Sequence, residues 1–324
     1  MRRKTTMKWN KIGKVFDPTQ FELPNNCKEF AQSPQVLLFD NSIRVYFSTR
    51  ERDSTGKYLS HIAFVDFDKQ FNVVNVARDS VIKLGNLGCY DEHGIFPLNV
   101  LRARNKIFGY IGGWNRRISV SVDGSIGVAV SLDEGLTYRR LGDGPVLTSS
   151  IKEPFLVGDP FVKEYSDILH MWYIFGTKWK KFSEEMPPDR IYKIGHAVSH
   201  DGITWQKNEE GRQIVSDSLG PEESQALPTV IQIGGRYHML FCYRQSFDFR
   251  KNKNRGYRIG YAFSDDLRNW TRDDTSAGID VSQDDWDSEM LCYPHVFEMD
   301  GDVYLMYNGN EFGRFGFGLA KLEK

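Results

Sequence analysis

A proline-centred pattern recurs five times along this chain of 324 residues. Its general form is an acidic residue, four residues, a proline, one residue, and then valine, isoleucine or a close substitute. The five copies are Glu29–Val36, Glu92–Val100, Gly158–Val162, Glu223–Val230 and Glu289–Val296, and their prolines are 63, 63, 68 and 66 residues apart. Self-similarity at a nearly constant period is typical of repeat architectures. The sequence therefore predicts five equivalent structural units.

Each unit carries the signals of a small antiparallel sheet. The fourth unit reads LPTVIQI, a GGR turn, YHMLFCY, a polar loop, YRIGYAFS, an SDDLRNW turn and a weaker fourth strand. Helical periodicity is nearly absent, and aromatic residues, which suit β-strands, make up 14% of the chain. Four antiparallel strands repeated five times predict an all-β fold, a five-bladed β-propeller.

The two chain ends are predicted to close this propeller. The C-terminal segment FGFGLAKLEK matches only a third strand, whereas the N-terminal MKWNKIGKVF resembles the Trp-led fourth strands of other units. We expect a strand at about residues 8–16 to complete blade five, so that residues 1–324 form one domain with no open seam.

Composition limits the partners and the compartment. The formal net charge is −1, so no overall field favours nucleic acid. No apolar run reaches the roughly 18 residues of a membrane span, and the basic N-terminus lacks the apolar stretch of a signal peptide. These features predict a cytoplasmic protein without membrane insertion. The four cysteines show no CxxC spacing and the histidines no paired ligand spacing, so no metal or other cofactor is predicted.

Strand polarity sorts the residues between two faces of the propeller. The upper face, where the first strand of each blade begins, collects the acids before the prolines and the loops between second and third strands. The lower face collects three Ser-x-Asp turns, each with three or four residues between the Asp and a closing Trp or Tyr, that resemble the Asp-box turns of sialidases. We expect these turns to be structural, with Asp capping the turn and the aromatic residue packing between blades. They are Ser131–Tyr138, Ser199–Trp205 and Ser264–Trp270.

The upper loops are rich in arginine, lysine and aromatic residues. They are Ser48–Asp53, Gly112–Arg117, Gly176–Lys181, Tyr243–Arg258 and Asn308–Phe315. Their charge is either ordinary solvated loop charge or an electropositive mouth that attracts a phosphate, a nucleotide-linked sugar or an acidic glycan. The candidate substrate-binding residues at this face are Glu29, Arg50, His93, Trp114, Arg117, Lys178, Gln225, Arg244, Glu289 and His295.

Carboxylates clustered at a channel mouth suit glycosidic chemistry, which needs one carboxyl group as proton donor and a second as base or nucleophile. In blade pattern the chain resembles the five-bladed glycosidases, including glycoside hydrolase families 43, 32 and 130. Gly158–Val162 resembles the Asp-Pro motif of the aspartate that stabilises the transition state. Glu223 with Pro228 resembles the strand that carries the general-acid glutamate, and Asp91 with Gly94 resembles the Asp-Pro-Asn-Gly segment of invertases.

The resemblance implies roles for four carboxylates. Glu223 would be the general acid, Asp159 the transition-state stabiliser, and Glu92 or Asp91 the base or nucleophile, while Glu29 and Glu289 would be supporting residues. The chain also departs from family 43, because Ser33 occupies the position of the first-blade base and Phe96 the equivalent position in the second unit.

Three functions remain open at this point. The first is a glycoside hydrolase acting on a small or oligomeric sugar, with an anionic or phosphorylated sugar as a candidate substrate. The second is a glycosyltransferase or glycoside phosphorylase, which the basic mouth and the expected cytoplasmic location favour. The third is a non-catalytic glycan-binding propeller, which Ser33 in place of a base favours.

Overall fold

The computed structural model describes residues 6–324. Residues 1–5 belong to the basic N-terminal segment that bears on the signal-peptide prediction, so that part of the prediction lies outside the described residues. The strands are β1 (Trp9–Phe16), β2 (Gln32–Leu38), β3 (Ile43–Arg52), β4 (Tyr58–Phe67), β5 (Val73–Val76), β6 (Gly94–Ala103), β7 (Lys106–Arg116), β8 (Val122–Ser131), β9 (Arg139–Arg140), β10 (Val157–Tyr165), β11 (Ile168–Lys180), β12 (Asp189–Ser199), β13 (Gln206–Lys207), β14 (Glu223–Ile233), β15 (Arg236–Gln245), β16 (Arg258–Ser264), β17 (Thr271–Arg272), β18 (Cys292–Met299), β19 (Asp302–Asn308) and β20 (Phe317–Leu322). Short helical turns lie at Pro18–Gln20, Pro24–Asn26, Lys253–Arg255, Asp274–Ser276 and Asn310–Gly313.

These strands form five four-stranded antiparallel blades, which confirms the predicted propeller. In order from the inner to the outer strand, the blades are β2-β3-β4-β5, β6-β7-β8-β9, β10-β11-β12-β13, β14-β15-β16-β17 and β18-β19-β20-β1. One parallel pair, Ser60 with Gly94, links the first blade to the second. The fifth blade takes its outer strand from the N-terminus.

The predicted closure of the last blade is confirmed. Strand β1 pairs antiparallel with β20, from Trp9 opposite Leu322 to Phe16 opposite Phe317. The Trp9 indole N–H also donates to the Ala277 carbonyl at 3.0 Å, which ties the same strand to the loop before the fifth blade. The chain ends thus pair with each other instead of leaving an open sheet edge.

Every inner strand has an irregular pairing register at its repeat proline. Proline has no backbone N–H to donate, so the ladder is interrupted and a bulge forms there. The register shifts lie between Gln32 and Gln35, Ile95 and Leu98, Gly158 and Phe161, Ala226 and Thr229, and Cys292 and His295. The residue before the proline has positive φ in four blades: Ser33 (54°), Asp159 (49°), Leu227 (47°) and Tyr293 (57°). The repeated proline therefore marks a point where each inner strand changes direction.

The lower-face turns have the predicted structural role. In each turn the serine hydroxyl and backbone N–H groups donate to the aspartate carboxylate, as at Ser199 and Asp201, where the oxygens are 3.0 Å apart. The closing aromatic ring packs on the second strand of the preceding blade. The ring pairs are Tyr138 with Tyr46 at 5.6 Å, Trp205 with Tyr110 at 5.7 Å and Trp270 with Trp172 at 6.3 Å. These turns therefore link neighbouring blades.

Polar side chains along the channel join inner strands of neighbouring blades. The Asn99 carbonyl oxygen accepts from the Val162 N–H at 2.9 Å, and the Thr229 hydroxyl accepts from the Val296 N–H at 3.1 Å. His295 closes the ring, because its Nε2 accepts from the Val36 N–H at 3.2 Å. Burial lowers the pKa of His295 to about 3, so its ring stays neutral and can accept this bond. Within residues 6–324, no helix is long and apolar enough to cross a membrane.

Candidate active site

A cavity of about 370 Å³ opens at the upper ends of the inner strands. Its charged lining residues are Arg50, Asp123, Asp159, Arg190, Arg244 and Arg250. Its aromatic lining residues are Phe30, Tyr58, Phe96, Trp114, Tyr192, Phe249, Tyr257, Tyr293 and Phe312. A concave site that combines aromatic walls with a few polar groups is typical of small-ligand binding.

Asp159 is the inner-strand carboxyl group of this cavity. It precedes Pro160 at the bulge of β10, so its side chain faces the cavity, as do those of the equivalent Phe96 and Tyr293. The side chain is buried, and among residues 6–324 its Oδ2 accepts only from the Leu227 N–H at 3.3 Å. Burial raises the pKa of Asp159 to about 7, although the Leu227 N–H and the Arg190 charge act in the opposite direction. Asp159 can therefore both give and take a proton near neutral pH.

Two arginines in the cavity have aromatic neighbours instead of ion-pair partners. The Arg50 guanidinium lies 4.9 Å from the Phe30 ring centroid and 5.5 Å from that of Tyr58. Arg250 lies 4.6 Å from the Phe249 centroid and also contacts the Phe312 ring at 5.3 Å. Within the described part of the chain, neither arginine has a carboxylate within 4.0 Å, and the buried Arg50 Nε has no hydrogen-bond partner. Both positive charges are thus uncompensated by the protein.

Arg244, a predicted substrate-binding residue, lines the cavity, but three of its N–H donors are already engaged. Its guanidinium donates to the Tyr192 hydroxyl at 3.1 Å, the Tyr257 hydroxyl at 3.2 Å and the Gln245 carbonyl at 3.0 Å. It also lies 3.5 Å from the Phe249 ring centroid. Arg244 therefore shapes the cavity wall and adds charge to it.

Glu223, predicted to be the general acid, does not line this cavity. It is fully buried inside the fourth blade, where its Oε1 is 2.6 Å from Nη1 of Arg272 on the outer strand. Gln225 donates to the same oxygen, and the Ser218 and Leu219 N–H groups donate to the other. Burial alone would raise the pKa of Glu223, but Arg272 and these hydrogen bonds hold it below its usual value.

The same buried ion pair recurs in four blades. The acid lies at or just before the start of the inner strand, and the cation lies on the outer strand opposite an alanine of the third strand. The pairs are Asp91 with Arg140, Glu153 with Lys207, Glu223 with Arg272, and Asp287 with Lys11. In the first blade the cation position is held by Val76, opposite Val65. Asp91 and Glu223, both candidates for catalysis, thus occupy equivalent positions inside their blades.

A sequence signal for these pairs exists, although none of the sequence-based predictions used it. Each cation follows by two positions an aromatic residue at or just before the start of the outer strand, giving Tyr138-x-Arg140, Trp205-x-Lys207, Trp270-x-Arg272 and Trp9-x-Lys11. The acids have no such constant spacing to the proline, because the connection into each inner strand differs in length. Because of this variation, residues at the same distance from the proline in the sequence are not equivalent in the structure.

Most other predicted site residues lie around the rim. Glu29 pairs with Arg314, Glu289 with Lys253 and Arg117 with Asp123, so much of the rim charge is neutralised. Three other candidates also lie at the rim: Glu92, Lys178 and His93. Glu92 accepts from the Gly88 N–H at 2.9 Å, and Lys178 is exposed. His93 stacks on Trp114 with ring centroids 6.3 Å apart. Of the predicted residues, the structure brings Asp159, Arg50, Trp114 and Arg244 together in the cavity. His295 lies deeper in the channel, and Gln225 belongs to the buried Glu223 network.

A second groove of about 440 Å³ adjoins the cavity and shares Tyr58, Trp114 and Ser121 with it. The groove continues along the loops that carry Arg117 and Pro188. The two spaces together provide room for a ligand larger than one sugar ring. No cluster of three or more His, Cys, Asp or Glu side chains that could hold a metal ion occurs in residues 6–324.

Comparison with known proteins places this geometry in a structural class, the fold of the five-bladed glycoside hydrolases. The structure of BT0996 in an RGII complex aligns with a TM-score of 0.73 at 16% identity, covering 99% of this chain and 93% of BT0996. A thermostable family-43 glycoside hydrolase gives a TM-score of 0.62 at 12% identity, covering 93% of this chain and 91% of the other. A family-32 β-fructofuranosidase from Bombyx mori gives 0.60 at 13% identity, covering 95% and 63% respectively. At such identities the likeness establishes the fold alone.

Sequence comparison identifies nearer relatives. The uncharacterised protein MT1551 of Mycobacterium tuberculosis is 31% identical over 318 residues, which cover 98% of this chain and all of that protein. Rv1502, from another strain of the same species, matches equally well and is also uncharacterised. The chain belongs to the family of these mycobacterial proteins. No family model matches it.

Proposed function

We propose that this protein is an enzyme that makes or breaks a glycosidic bond of an anionic sugar in the upper cavity. The observation that carries the proposal is Asp159, a buried carboxyl group with a pKa near 7 at the inner end of a cavity lined by aromatic rings and arginines. A group that titrates near neutral pH is suited to general acid–base catalysis. Aromatic walls suit the apolar faces of sugar rings, and the arginines favour an anionic substrate.

The carboxylates favour transfer or phosphorolysis over simple hydrolysis. Hydrolysis needs two carboxyl groups beside the scissile bond. The second carboxyl group of the cavity is Asp123, and it is engaged by Arg117. Inorganic phosphate attacks as an anion and needs no base, and a nucleotide diphosphate departs as an anion and needs no acid. In either reaction one carboxyl group therefore suffices to move the proton of the glycosidic oxygen. In the direction of cleavage, protonated Asp159 would donate that proton to the leaving oxygen.

The experiment measures turnover in a panel of aryl glycosides, sugar phosphates and nucleotide sugars, with and without inorganic phosphate. Asp159→Asn should lower kcat by about 10²–10⁴-fold, the usual contribution of a positioned acid–base group. Asparagine tolerates the positive φ at this position, so the variant should fold. Asp300→Asn is the matched control, since Asp300 lies in a lower-face turn, also at positive φ, and pairs with Lys69.

A non-catalytic glycan-binding propeller is the second candidate, because the ion pairs of Glu223 and Asp91 leave the cavity with few carboxyl groups. It predicts sugar binding with no turnover across the whole panel, and binding that Asp159→Asn leaves intact. Full activity of Asp159→Asn on a substrate that the wild-type protein turns over would refute the enzymatic role assigned to Asp159.

A further inference from the structure

Three arginines of the cavity carry positive charge that the protein leaves largely uncompensated. Arg50 and Arg250 have no carboxylate within ion-pair distance among the described residues. Arg190 has only its neighbour Asp189 at 4.0 Å, and its Nη1 donates to the Ser121 hydroxyl at 3.4 Å. Charges in a partly dehydrated site are costly unless a ligand or a carboxylate balances them. Arg50 and Arg190 are half-buried and Arg250 is exposed, so an anion in the cavity would relieve this cost chiefly for Arg50 and Arg190.

Arg50, Arg190 and Arg250 line the same cavity, and the charges of the other two act on Arg50. Burial lowers the pKa of Arg50, and the charges of Arg250 and Arg190 act in the same direction. These side chains come from three different parts of the chain: β3, the start of β12, and the loop between β15 and β16. Their convergence is a result of the fold, since no local sequence pattern links them.

The amount of charge distinguishes between classes of anion. Four arginines and two aspartates line the cavity, and the adjacent Arg117 and Asp189 pair with members of this set. These five arginines and three aspartates give a formal charge of +2 with every carboxyl group ionised and +3 when Asp159 is protonated. A sugar carboxylate supplies one negative charge and would leave at least one positive charge unbalanced. A phosphate monoester carries about −1.5 to −2 at neutral pH and offers three acceptor oxygens. Guanidinium groups match these oxygens in both charge and geometry.

We propose that Arg50, Arg190 and Arg250 form a subsite for a phosphate group, either inorganic phosphate or the phosphate of a sugar phosphate or nucleotide sugar. The subsite deepens the proposed function, because it defines the anionic part of the substrate. Phe30 and Tyr58 flank the half-buried Arg50, so little of its side-chain freedom is lost on binding, while Phe249 and Phe312 flank the exposed Arg250.

The test is calorimetric titration of the full-length protein with inorganic phosphate, glucose 1-phosphate, UDP-glucose and, as a monoanion, glucuronate. The phosphate compounds should bind at least tenfold more tightly than glucuronate. Arg50→Gln and Arg250→Gln should each weaken phosphate binding at least tenfold without a change of the same size for glucuronate. Arg236→Gln is the matched control, because Arg236 pairs with Asp265 away from the cavity. Melting temperatures verify that each variant is folded.

The compounds also distinguish the source of the phosphate. Tighter binding of inorganic phosphate than of either ester indicates phosphate as a co-substrate, whereas tighter binding of an ester indicates a phosphorylated substrate. The proposed subsite would be refuted if glucuronate and the phosphate compounds bound with equal affinity. It would also be refuted if phosphate still bound with wild-type affinity to both arginine variants. Asp159→Asn should keep phosphate binding, so loss of turnover in that variant tests the proposed function separately.

Discussion

Replacing Glu223 by glutamine separates a structural role from a catalytic one. All five groups bound to the Glu223 carboxylate are hydrogen-bond donors: Arg272 and Gln225 at Oε1, and the Ser218 N–H, the Ser218 hydroxyl and the Leu219 N–H at Oε2. A glutamine side chain has only one acceptor oxygen, so its amide nitrogen must face two of these donors. The substitution also removes the negative charge that balances the buried Arg272.

The size of the effect follows from this geometry. Removing one partner of a buried ion pair costs about 3–5 kcal/mol. Arg272 keeps a second partner, Asp274, at 2.8 Å, so the lower value, about 3 kcal/mol, applies. Unfolding entropy of about 2.1 cal/mol/K per residue gives roughly 0.7 kcal/mol/K for a chain of this length. Glu223→Gln should therefore lower the melting temperature by about 4 °C.

Differential scanning calorimetry at pH 7 measures this shift. Glu153→Gln, at the equivalent position of the third blade, should cause a loss of similar size, because its carboxylate accepts from Lys207, the Tyr173 hydroxyl and the Gly211 N–H. Glu134→Gln, an exposed lower-face residue, should leave the melting temperature nearly unchanged. Our interpretation would be refuted if Glu223→Gln melted like the wild-type protein but lost turnover, the result that the general-acid role implied by the family resemblance requires.

Two further predictions concern pH and closure. The pKa of Asp159 is raised to about 7, so the folded protein keeps a proton on this carboxyl group that the unfolded chain releases above about pH 4. The free energy of unfolding therefore falls as the pH rises from about 4 to 7. The melting temperature of Asp159→Asn should therefore exceed that of the wild-type protein by more at pH 8 than at pH 5. An equal difference between the two proteins at both pH values would contradict the raised pKa. Lys11→Met should cost about 3 kcal/mol in the free energy of unfolding, because it leaves the buried Asp287 without its cation. In denaturant titrations, the double variant Lys11→Met/Asp287→Leu should recover most of that loss. If Lys11→Met alone were as stable as the wild-type protein, this ion pair would not hold the closing strand.

The blade architecture could be predicted because it depends on short-range sequence patterns. Alternating strands, glycine turns and the Ser-x-Asp turns are local, and each recurs in several blades, so five imperfect copies support one interpretation. The pairing of β1 with β20 could be inferred as well, since the last unit lacks a fourth strand and the N-terminal segment resembles one. Asp159 was identified for a similar reason, because it directly precedes the proline at the strand bulge.

Other site residues could not be assigned in this way. Glu29, Glu92 and Glu223 all lie five positions before a repeat proline, yet Glu29 pairs with Arg314 at the rim, Glu92 accepts from the Gly88 N–H, and Glu223 is buried within its blade. The direction of these side chains depends on the length of the connection that enters each inner strand. Arg190 and Arg250 were not singled out, because no motif surrounds them and only the folding of two upper loops brings them to the cavity.

The sequence by itself determined the repeated blade, the number of blades and the strand that closes the ring, because hydrophobic alternation and turn chemistry act over a few residues. The tertiary structure decided which charges are paired and which face the ligand space. An acid and a cation from opposite edges of one blade, such as Glu223 and Arg272, neutralise each other only after the sheet has formed. Arg50, Arg190 and Arg250 come to line one cavity with Asp159 only after separate blades have packed around the channel, because the packing of the blades determines the distances between them.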